Sequence, residues 1–348
     1  MSRSVAWVTM GSAHPMGQQH AESSLQRALR QRAQDGWVFT ARRVVSLRSR
    51  EHGVRLPMRA MAAAPRLATG AVGQVAYGRA RLVHRFDLRL PPRLGREVLT
   101  VHDLPPLRFQ DEGRLSGRAV ASARAAAGVI CPSQFAADEV AALLRPRRVW
   151  VVPNGVGEEV ARAVPLDADD LAAHGIAERY VLHAGGATTR KNLEALAPAW
   201  TRVAARCPDT TLVLCGPPHP GRDRLFAGLQ GVRYLGHLEP AAVARLMRSA
   251  AAVVVPSLYE GFGLPALEGM AAGVPVVAAD RGALPEVCGS AALLVPATAE
   301  GIADGLLEVL SDGARAAALR SLGPARASAF SWSAAADATL AVYDEVLG

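Results

Sequence analysis

Short apolar runs rich in β-branched residues alternate with longer amphipathic segments along most of this chain. The runs that predict strands lie at residues 5–10, 37–45, 86–90, 97–103, 128–131, 149–152, 180–183, 211–215, 232–238, 253–255, 274–279, 284–287 and 292–296. Segments such as residues 18–34 and 193–205 repeat apolar side chains at helical spacing and predict helices between these strands. Strands that alternate with helices in this way are typical of α/β domains with parallel sheets.

Residues 56–82 predict one helix or two. This segment is rich in Ala, Met and Leu, carries several arginines, and is expected to break at Pro65 and at residues 70–73, which begin and end with glycine. It is either a helix pair with arginines on its wet side or a basic amphipathic surface that lies on a membrane. Three further helices close the chain, the last at residues 333–347.

The most informative stretch is residues 253–273. An apolar strand at residues 253–255 leads into Glu-Gly-Phe-Gly at residues 260–263, where two glycines permit a tight turn and a close approach to a ligand. Pro265 suits the first position of a helix, and Gly273 suits its end. A loop between a strand and a helix start lies where open α/β sheets bind ligands, and helix N-termini favour phosphate.

Two carboxylates, Glu260 and Glu268, flank this loop with seven residues between them. Each carboxylate is a pure acceptor and can take two sugar hydroxyls. Together they could hold two sugars on either side of a pair of phosphates. The alternative is a surface loop residue and a helix-start charge that the helix dipole favours.

Lysine occurs only once. Of the 39 basic residues 38 are arginine, and the exception, Lys191, follows Arg190 directly before the predicted helix at residues 193–205. Two cations at a helix N-terminus are unfavourable with the helix dipole. The pattern therefore indicates an anion nearby, held in part by a compact ammonium.

The formal net charge of +8 is unevenly distributed. Residues 1–160 hold 24 arginines against 12 acidic residues, whereas the remainder holds 15 basic and 19 acidic residues. A basic first half indicates either an anionic partner or simply a basic solvated surface. Nucleic acid is the least favoured partner because no aromatic-interleaved basic patch or nucleic-acid motif is present.

Other features exclude some classes of protein. No apolar run approaches the ~18 residues that span a bilayer, and the first apolar run predicts a strand rather than a signal peptide. The four cysteines lack zinc or redox spacing, so we expect buried free thiols in a reducing cytoplasm. No G-x-G-x-x-G follows residues 5–10, which disfavours a dinucleotide oxidoreductase.

An acidic triplet at Asp167 to Asp169 could in principle hold a divalent metal. A metal site of that kind would follow an apolar strand, but this triplet lies in a linker that precedes a short helix. Asp at such a position is a routine helix cap. We therefore predict a cap and no metal site.

Residues 256–268, Pro-Ser-Leu-Tyr-Glu-Gly-Phe-Gly-Leu-Pro-Ala-Leu-Glu, resemble the E-x7-E motif of the retaining glycosyltransferases of family 4. The resemblance extends over nearly the whole chain, most clearly from Val98 onward, and includes Thr-Val-His-Asp at residues 100–103 and Arg-Lys-Asn at residues 190–192. It implies the GT-B fold: two Rossmann-like, doubly wound parallel-sheet α/β domains that face each other across a cleft. The implied domains are an acceptor-side domain at residues 1–160, a nucleotide-sugar domain at 161–330, and a helix at 331–348 that packs back on the first domain.

The resemblance also implies roles for particular residues. The implied catalytic residues are His102, Lys191 and Glu260, and the implied donor-binding residues are Gly17, Arg190, Gly261, Phe262, Gly263, Leu264 and Glu268. Arg190 and Lys191 would hold the donor diphosphate, and His102 would line the donor-sugar pocket. Gly17 matches the family's glycine-rich first loop only in part, because Gln18 follows it where a second glycine or an arginine is expected.

The implied activity is metal-independent, retaining hexosyl transfer, with mannose favoured, from a nucleotide-diphosphate sugar such as GDP-mannose or a UDP-sugar, and without a cofactor. The acceptor would be a glycan, a lipid-linked sugar or a small molecule, and either an anionic or a lipid-linked acceptor would suit the basic first half. The implied location is the cytoplasm, with peripheral contact at the inner face of the membrane left open. Two alternatives remain: a sugar-nucleotide epimerase of the same fold, and a non-catalytic partner subunit that binds a nucleotide or glycan.

Overall fold

The computed structural model describes residues 3–11, 17–33, 36–64 and 66–348, and the chain folds into two compact units. The first unit comprises Met1–Gly155 together with Trp332–Gly348, and the second comprises Val156–Ser331. The first boundary lies after residue 155 rather than after residue 160, and the second after residue 331 rather than after residue 330. The second unit is therefore an insertion between two segments of the first.

A parallel sheet forms the centre of each unit. The strands of the first unit are β1 (Arg3–Met10), β2 (Trp37–Ser46), β3 (Val54–Leu56), β4 (Leu82–Arg85), β5 (Glu97–Thr100), β6 (Gly128–Cys131) and β7 (Val149–Val151). Those of the second are β8 (Arg179–Ala184), β9 (Thr210–Cys215), β10 (Val232–Gly236), β11 (Ala252–Val255), β12 (Val276–Ala279) and β13 (Leu293–Val295). The strand orders are β3-β2-β1-β4-β5-β6-β7 and β10-β9-β8-β11-β12-β13.

Helices connect these strands. In the described residues they are α1 (Gly17–Arg32), α2 (Met58–Ala63), α3 (Arg66–Tyr77), α4 (Gly117–Ala125), α5 (Gln134–Leu143), α6 (Glu158–Ala161), α7 (Ala168–Ala173), α8 (Leu193–Arg206), α9 (Pro220–Phe226), α10 (Pro240–Ser249), α11 (Leu264–Ala271), α12 (Leu284–Cys288), α13 (Ala299–Ser311), α14 (Gly313–Ala327) and α15 (Trp332–Leu347). No helix of this set is long and apolar enough to cross a membrane.

The direction of strand progression reverses once in each sheet, between β1 and β4 in the first unit and between β8 and β11 in the second. At such a reversal the loops that follow the two strands diverge to opposite faces and leave a crevice at the carboxyl edge of the sheet. The loop after β8 contains Arg190 and Lys191, and the loop after β11 contains Glu260. The loop that contains the Arg-Lys-Asn motif and the loop in which the E-x7-E motif starts therefore both begin at the switch point of the second sheet.

The central strands are apolar on both faces because helices cover both. In β1, Val5 and Trp7 pack into the cluster that contains α1 and α15, whereas Ala6 and Val8 pack into the cluster on the opposite face. Trp7 stacks on Phe39 of β2 with ring centroids 4.3 Å apart. This explains why the strand is a continuous apolar run rather than an alternating one.

Helix α15 is part of the first unit although it follows the second in sequence. It packs along α1, where the side chains of Arg32 and Asp337 form a salt bridge of 2.7 Å. Below this exposed pair, Nε1 of Trp7 donates a hydrogen bond of 3.1 Å to the hydroxyl of Tyr343, which is fully buried. The last helix therefore completes the core on one face of the first sheet.

Strand β4 does not lie where the apolar pattern predicted it. We expected residues 86–90, but β4 is Leu82–Arg85. The second half of this strand is polar although it is buried, so the strand lacks the apolar run by which the other strands were predicted. Its Arg85 pairs with Glu97 at 2.7 Å, and neither side chain is more than 3% exposed. Its neighbour His84 is also buried and bonded at both ring nitrogens.

Two other predictions were wrong. Gly70 and Gly73 do not interrupt the helix but lie inside α3. Glycine is needed at residue 73 because a side chain there would place its Cβ 2.1 Å from the carbonyl oxygen of Pro92. Here glycine permits close packing rather than a turn. Residues 284–287 begin helix α12 instead of a strand, with Pro285 in its first turn. Pro65, the other expected break, lies outside the described residues.

Several predictions of local structure are confirmed. Ser133 caps α5 by accepting a hydrogen bond from the amide of Ala136. Asp167 caps α7 by accepting one from the amide of Asp170, which is the expected role of the acidic triplet. The four cysteines are free and buried.

Candidate functional site

The centre of the candidate site is Glu260, in the loop after β11. Its Oε1 accepts a hydrogen bond of 2.6 Å from Nζ of Lys191, and its Oε2 lies 3.2 Å from Nη1 of Arg190. Glu260 and Lys191 are only 6% and 8% exposed. The structure thus brings together three residues that the sequence analysis assigned to the site separately.

Ser257 adds a further hydrogen bond to the same carboxylate. Its hydroxyl donates to Oε1 of Glu260 at 2.7 Å, and the residue is fully buried. Oε1 therefore accepts from two donors at once. Ser257 was not among the predicted site residues, although its position three residues before Glu260 in the loop was a possible signal.

These contacts fix the charge of the carboxylate. Burial by itself would raise the pKa of Glu260, but the positive charges of Lys191 and Arg190 outweigh burial and lower that pKa to about 2. Glu260 is consequently ionised at neutral pH. A carboxylate can only accept hydrogen bonds, so any lone pair that these donors leave free is suited to a hydroxyl donor.

Asn192 connects the loop after β8 to the loop after β11. It has a left-handed backbone with φ of 57°, and its Nδ2 donates to the carbonyl oxygens of Pro256 at 2.9 Å and Ala297 at 3.0 Å. The amide of Leu258 donates to the carbonyl of Arg190 at 2.8 Å. The loop after β8 is thereby bound to the loop after β11, so the position of Lys191 is tied to that of Glu260.

A glycine from a third loop lies directly against Glu260. A side chain at Gly282 would place its Cβ 2.8 Å from the backbone oxygen and 2.9 Å from the backbone nitrogen of Glu260. Gly282 also has a positive φ of 61°, which favours glycine. The amide of Ala283 donates to the carbonyl of Glu260 at 3.0 Å. The backbone of Glu260 is therefore fixed as firmly as its side chain.

Helix α11 follows this loop. Gly263 is its N-cap with φ of 98°, and no side chain caps the first turn. The first amides of a helix lack intrahelical partners and carry partial positive charge, so this end is suited to an anion. Phe262 is buried against Phe330 in an edge-to-face contact of 5.7 Å and supports the loop rather than lining a surface. Gly261 precedes Phe262 in this loop, and Leu264 follows Gly263 as the first residue of α11.

Glu268 lies one turn into α11 and is partly buried. Burial raises the pKa of its carboxyl to about 7, and the negative charge of Glu159 raises it further. The two glutamates of the motif thus differ at neutral pH. Glu260 is fully ionised, whereas Glu268 is close to its midpoint.

His183 is a buried side chain near this cluster that the sequence analysis did not single out. It is 2% exposed in β8, its Nδ1 donates to the carbonyl of Val254 at 3.2 Å, and its Nε2 is buried with no partner. Burial lowers the pKa of His183 to about 4. The only sequence signal was a polar residue inside an apolar strand.

The first unit contains a separate small cavity, at the carboxyl ends of its strands. His102 lines it, and Nε2 of His102 is buried with no hydrogen-bond partner. Burial lowers the pKa of His102 to about 4, so the ring is neutral at pH 7. Gly17 begins α1 and is exposed, and residues 12–16 before it lie outside the described residues.

No group of three or more His, Cys, Asp or Glu side chains in residues 3–11, 17–33, 36–64 and 66–348 is placed to hold a metal ion. The cations at the candidate site are instead side chains.

Comparisons with known proteins agree with the motif. Residues 24–160 match the family described as Glycosyltransferase Family 4, and residues 178–312 match Glycosyl transferases group 1. The chain is 30% identical over 287 residues to O-antigen chain mannosyltransferase B of Escherichia coli, which covers 75% of this chain and 74% of that protein.

Solved structures show the same fold. Sucrose-phosphate synthase from Thermosynechococcus elongatus superposes with a TM-score of 0.78 at 23% identity, over 99% of this chain and 98% of that one. HepE of Anabaena, in a complex with UDP and glucose, superposes with a TM-score of 0.74 at 19% identity, over 98% and 99%. The GT-B architecture of two parallel-sheet α/β domains is therefore confirmed.

Proposed function

This chain belongs to the family 4 glycosyltransferases, and we propose that it transfers a hexose, with mannose favoured, from a nucleotide-diphosphate sugar to an acceptor with retention of the anomeric configuration. The observation that carries this proposal is the cluster of Arg190, Lys191 and Glu260 at the switch point of the second sheet. Two cations share one carboxylate there, which leaves a net positive charge beside the N-terminus of α11.

Such a cluster suits the leaving group of glycosyl transfer. When the bond between the anomeric carbon and the phosphate oxygen breaks, negative charge develops on the nucleoside diphosphate. Cations and helix amides that are already in position stabilise that charge without having to reorganise. Lys191 and Arg190 would contact the phosphates, and this part of the mechanism needs no metal ion.

The two glutamates would hold the donor on either side of its diphosphate. Glu260, ionised and held by Lys191, accepts from hydroxyls of the donor sugar, and Glu268 accepts from ribose hydroxyls. The acceptor oxygen attacks the anomeric carbon from the face that the diphosphate leaves, and its proton passes to a phosphate oxygen. Retention then follows without a covalent enzyme intermediate.

The nature of the donor and acceptor rests on similarity. The relative from Escherichia coli is named a mannosyltransferase of O-antigen chains, which favours mannose and a glycan or lipid-linked acceptor. The complex of HepE with UDP and glucose keeps UDP-sugars as an alternative to GDP-mannose. The role of His102 at the donor sugar, cytoplasmic location and contact with a membrane surface stay predictions.

A thermal-shift screen tests the proposal. The protein is heated with GDP-mannose, UDP-glucose, dTDP-sugars, the free nucleotides and NAD, with and without EDTA. A ligand present at 100 times its Kd stabilises the folded state by about 2.7 kcal/mol. We expect one nucleotide sugar to raise the melting temperature equally with and without EDTA.

Two variants make the screen specific. Lys191→Ala is expected to abolish the shift, whereas Arg202→Ala, which removes an exposed cation from α8, the helix after Lys191, is expected to retain it. A shift that requires metal or survives Lys191→Ala would contradict the assigned diphosphate site. Conversion of the nucleotide sugar to its epimer without an acceptor would favour the epimerase and contradict the transfer reaction.

A further inference from the structure

Two donors from different loops meet at one oxygen of Glu260. Nζ of Lys191, in the loop after β8, and the hydroxyl of Ser257, in the loop after β11, both donate to Oε1, at 2.6 and 2.7 Å. All three side chains are almost fully buried. A donor that moves away by about 1 Å no longer forms a hydrogen bond. The two loops must therefore be held at a fixed separation.

One hydrogen bond joins the two loops on each side of this pair of donors. On one side, the amide of Leu258 donates to the carbonyl of Arg190 at 2.8 Å. On the other side, Nδ2 of Asn192 donates to the carbonyl of Pro256 at 2.9 Å. The residue number rises along one loop as it falls along the other, as in an antiparallel pair. This arrangement places the two donors to Glu260 opposite each other, between the two bonds.

The second of these bonds comes from a side chain, because the backbone of Asn192 has other partners. Its amide donates to the carbonyl of Thr189 at 3.0 Å and closes a turn in which Asn192 has a φ of 57°. Its carbonyl accepts from the amides of Ala195 and Leu196 in the first turn of α8. Glycine would be sufficient for the left-handed turn alone. The side chain therefore has a role beyond the turn.

That role is not helix capping. Asparagine at an N-cap normally accepts from an amide of the first turn, yet Asn192 is the N-cap of α8 and makes no such bond. Its Nδ2 instead donates to Pro256 and, at 3.0 Å, to the carbonyl of Ala297 in the loop after β13. The residue is 8% exposed. One side-chain amide thus holds backbone carbonyls of two other loops.

Asparagine suits this position for two reasons. It adopts left-handed backbone more readily than most residues other than glycine, and its amide nitrogen carries two donors. We propose that Asn192 is a positioning residue, which holds Lys191 and Ser257 at Glu260 and thereby fixes the ammonium and the carboxylate for the donor diphosphate. Groups fixed in advance stabilise the charge of the leaving phosphates without reorganising. This inference rests on the proposed glycosyl transfer.

Two variants remove the donors of Asn192. Asn192→Gly retains the left-handed turn and lacks both N–H groups. Asn192→Asp retains the shape of the side chain but turns an acceptor toward two carbonyl oxygens. The control is Ser249→Ala, which removes a hydroxyl that bonds to the backbone of Leu166 and of Arg245 in the same unit. The control therefore also loses two hydrogen bonds, but away from the cluster.

The first measurement needs no ligand. The carbon-13 NMR signal of the Glu260 carboxyl, assigned by its loss in Glu260→Gln, is followed from pH 8 to pH 4. In the wild type and in Ser249→Ala it should stay that of a carboxylate, because the nearby cations lower the pKa of Glu260 to about 2. In both Asn192 variants the two donors are no longer held at Oε1, and burial favours the acid. The signal should then move toward the acid form within this range.

The second measurement is calorimetry with a nucleoside diphosphate and with the corresponding nucleoside. Asn192→Gly should weaken binding of the diphosphate by about 3- to 10-fold, the range for one hydrogen bond. Binding of the nucleoside should be unchanged, because Asn192 acts on the residues that face the phosphates. Ser249→Ala should bind both ligands like the wild type.

The inference is overturned if Asn192→Gly keeps the carboxylate signal down to pH 4 and binds the diphosphate like the wild type. It is also overturned if the signal changes while the affinity does not, since the position of the cluster would then not matter to the phosphates. If the wild type binds no nucleoside diphosphate, the proposed function fails, whereas the carboxyl signal still shows whether Asn192 holds the cluster. Melting temperatures, compared with Ser249→Ala, separate a displaced cluster from a loss of folding.

Discussion

Nζ of Lys191 donates a hydrogen bond of 2.6 Å to Oε1 of Glu260, and both side chains are almost fully buried. This pair joins the loop after β8 to the loop after β11. Removing one partner of a buried pair leaves an uncompensated charge, which typically costs about 3–5 kcal/mol. In this protein Arg190 and Ser257 remain beside Glu260, so the lower end of that range applies.

We expect Lys191→Met to lower the melting temperature clearly, and Glu260→Gln to do so less. In the double variant Lys191→Met/Glu260→Gln neither member of the pair is left as an unpaired charge. Its loss of melting temperature should therefore be smaller than the sum of the losses in the two single variants. A double-mutant cycle measures this coupling. Additive losses would show that the two side chains do not stabilise each other.

Acid should weaken the second unit through Glu260. The pKa of this carboxyl is lowered in the folded state to about 2 from an ordinary value of 4.5. Its contribution to stability is therefore present above pH 4.5 and is lost as the pH falls from 4.5 to 2. At about 1.4 kcal/mol per unit of pKa shift, the upper limit is about 3 kcal/mol.

The measurement is urea unfolding of the wild type and Glu260→Gln at pH 7, 4.5 and 3, followed by a probe of the second unit such as fluorescence of Trp200. The wild type should lose more stability than the variant between pH 4.5 and 3. Parallel pH profiles would contradict the assigned ionisation.

Glu268 should make nucleotide binding depend on pH near neutrality. Burial raises the pKa of its carboxyl to about 7, and acceptance of ribose hydroxyls favours the ionised form. Affinity for the nucleoside diphosphate should therefore increase as the pH rises from 6 to 8, by up to about tenfold. Glu268→Gln should remove this dependence.

A 2′-deoxy form of the same nucleotide supplies the control. If Glu268 contacts the 2′-hydroxyl, the deoxynucleotide binds the wild type about as weakly as the ribonucleotide binds Glu268→Gln. A pH dependence that persists in Glu268→Gln would assign the titration to another group.

The basic first unit should bind anionic membranes. Leu67 and Val75 on α3 are 76% and 86% exposed, and their eight-residue spacing places them within about a quarter turn of each other. Arg79 and Arg81, which follow this helix, are also exposed. An apolar strip flanked by arginines is suited to an anionic lipid surface.

Sedimentation with vesicles tests this prediction. The protein should bind vesicles that contain phosphatidylglycerol and not vesicles of phosphatidylcholine alone, and 0.5 M salt should release it because exposed charges are screened. Leu67→Ser/Val75→Ser should weaken binding, whereas Leu322→Ser, on an exposed position of the second unit, should not. Equal binding to both kinds of vesicle would contradict an electrostatic contact.

The parts of this molecule that could be predicted from sequence are those where the local pattern of apolar residues and glycines matches the burial and backbone conformation in the structure. The strand before Glu260 is apolar and buried, and Gly263, the second glycine of the turn that follows it, has a positive φ of 98°. The position of the solitary Lys191 was also informative, because composition alone marked it as unusual.

The parts that could not be predicted are polar groups whose partners are distant in sequence. Strand β4 was missed because His84 and Arg85 are buried by partners on β5 and α15, which no local pattern shows. His183 was missed for the same reason, because its partner Val254 on β11 is distant in sequence. The raised pKa of Glu22 depends on its burial in a cavity formed by six elements, so only the folded structure shows it.

The late position of α15 has a consequence for synthesis of the chain. The first unit lacks Trp332 and Tyr343 until the ribosome has made the final helix, whereas the second unit is complete once Ser331 has been made. During translation, therefore, the apolar face around Trp7 in the N-terminal segment stays uncovered by α15 while the second unit is made and folds. Nascent chains that stop before residue 332 should depend on chaperones that hold this face.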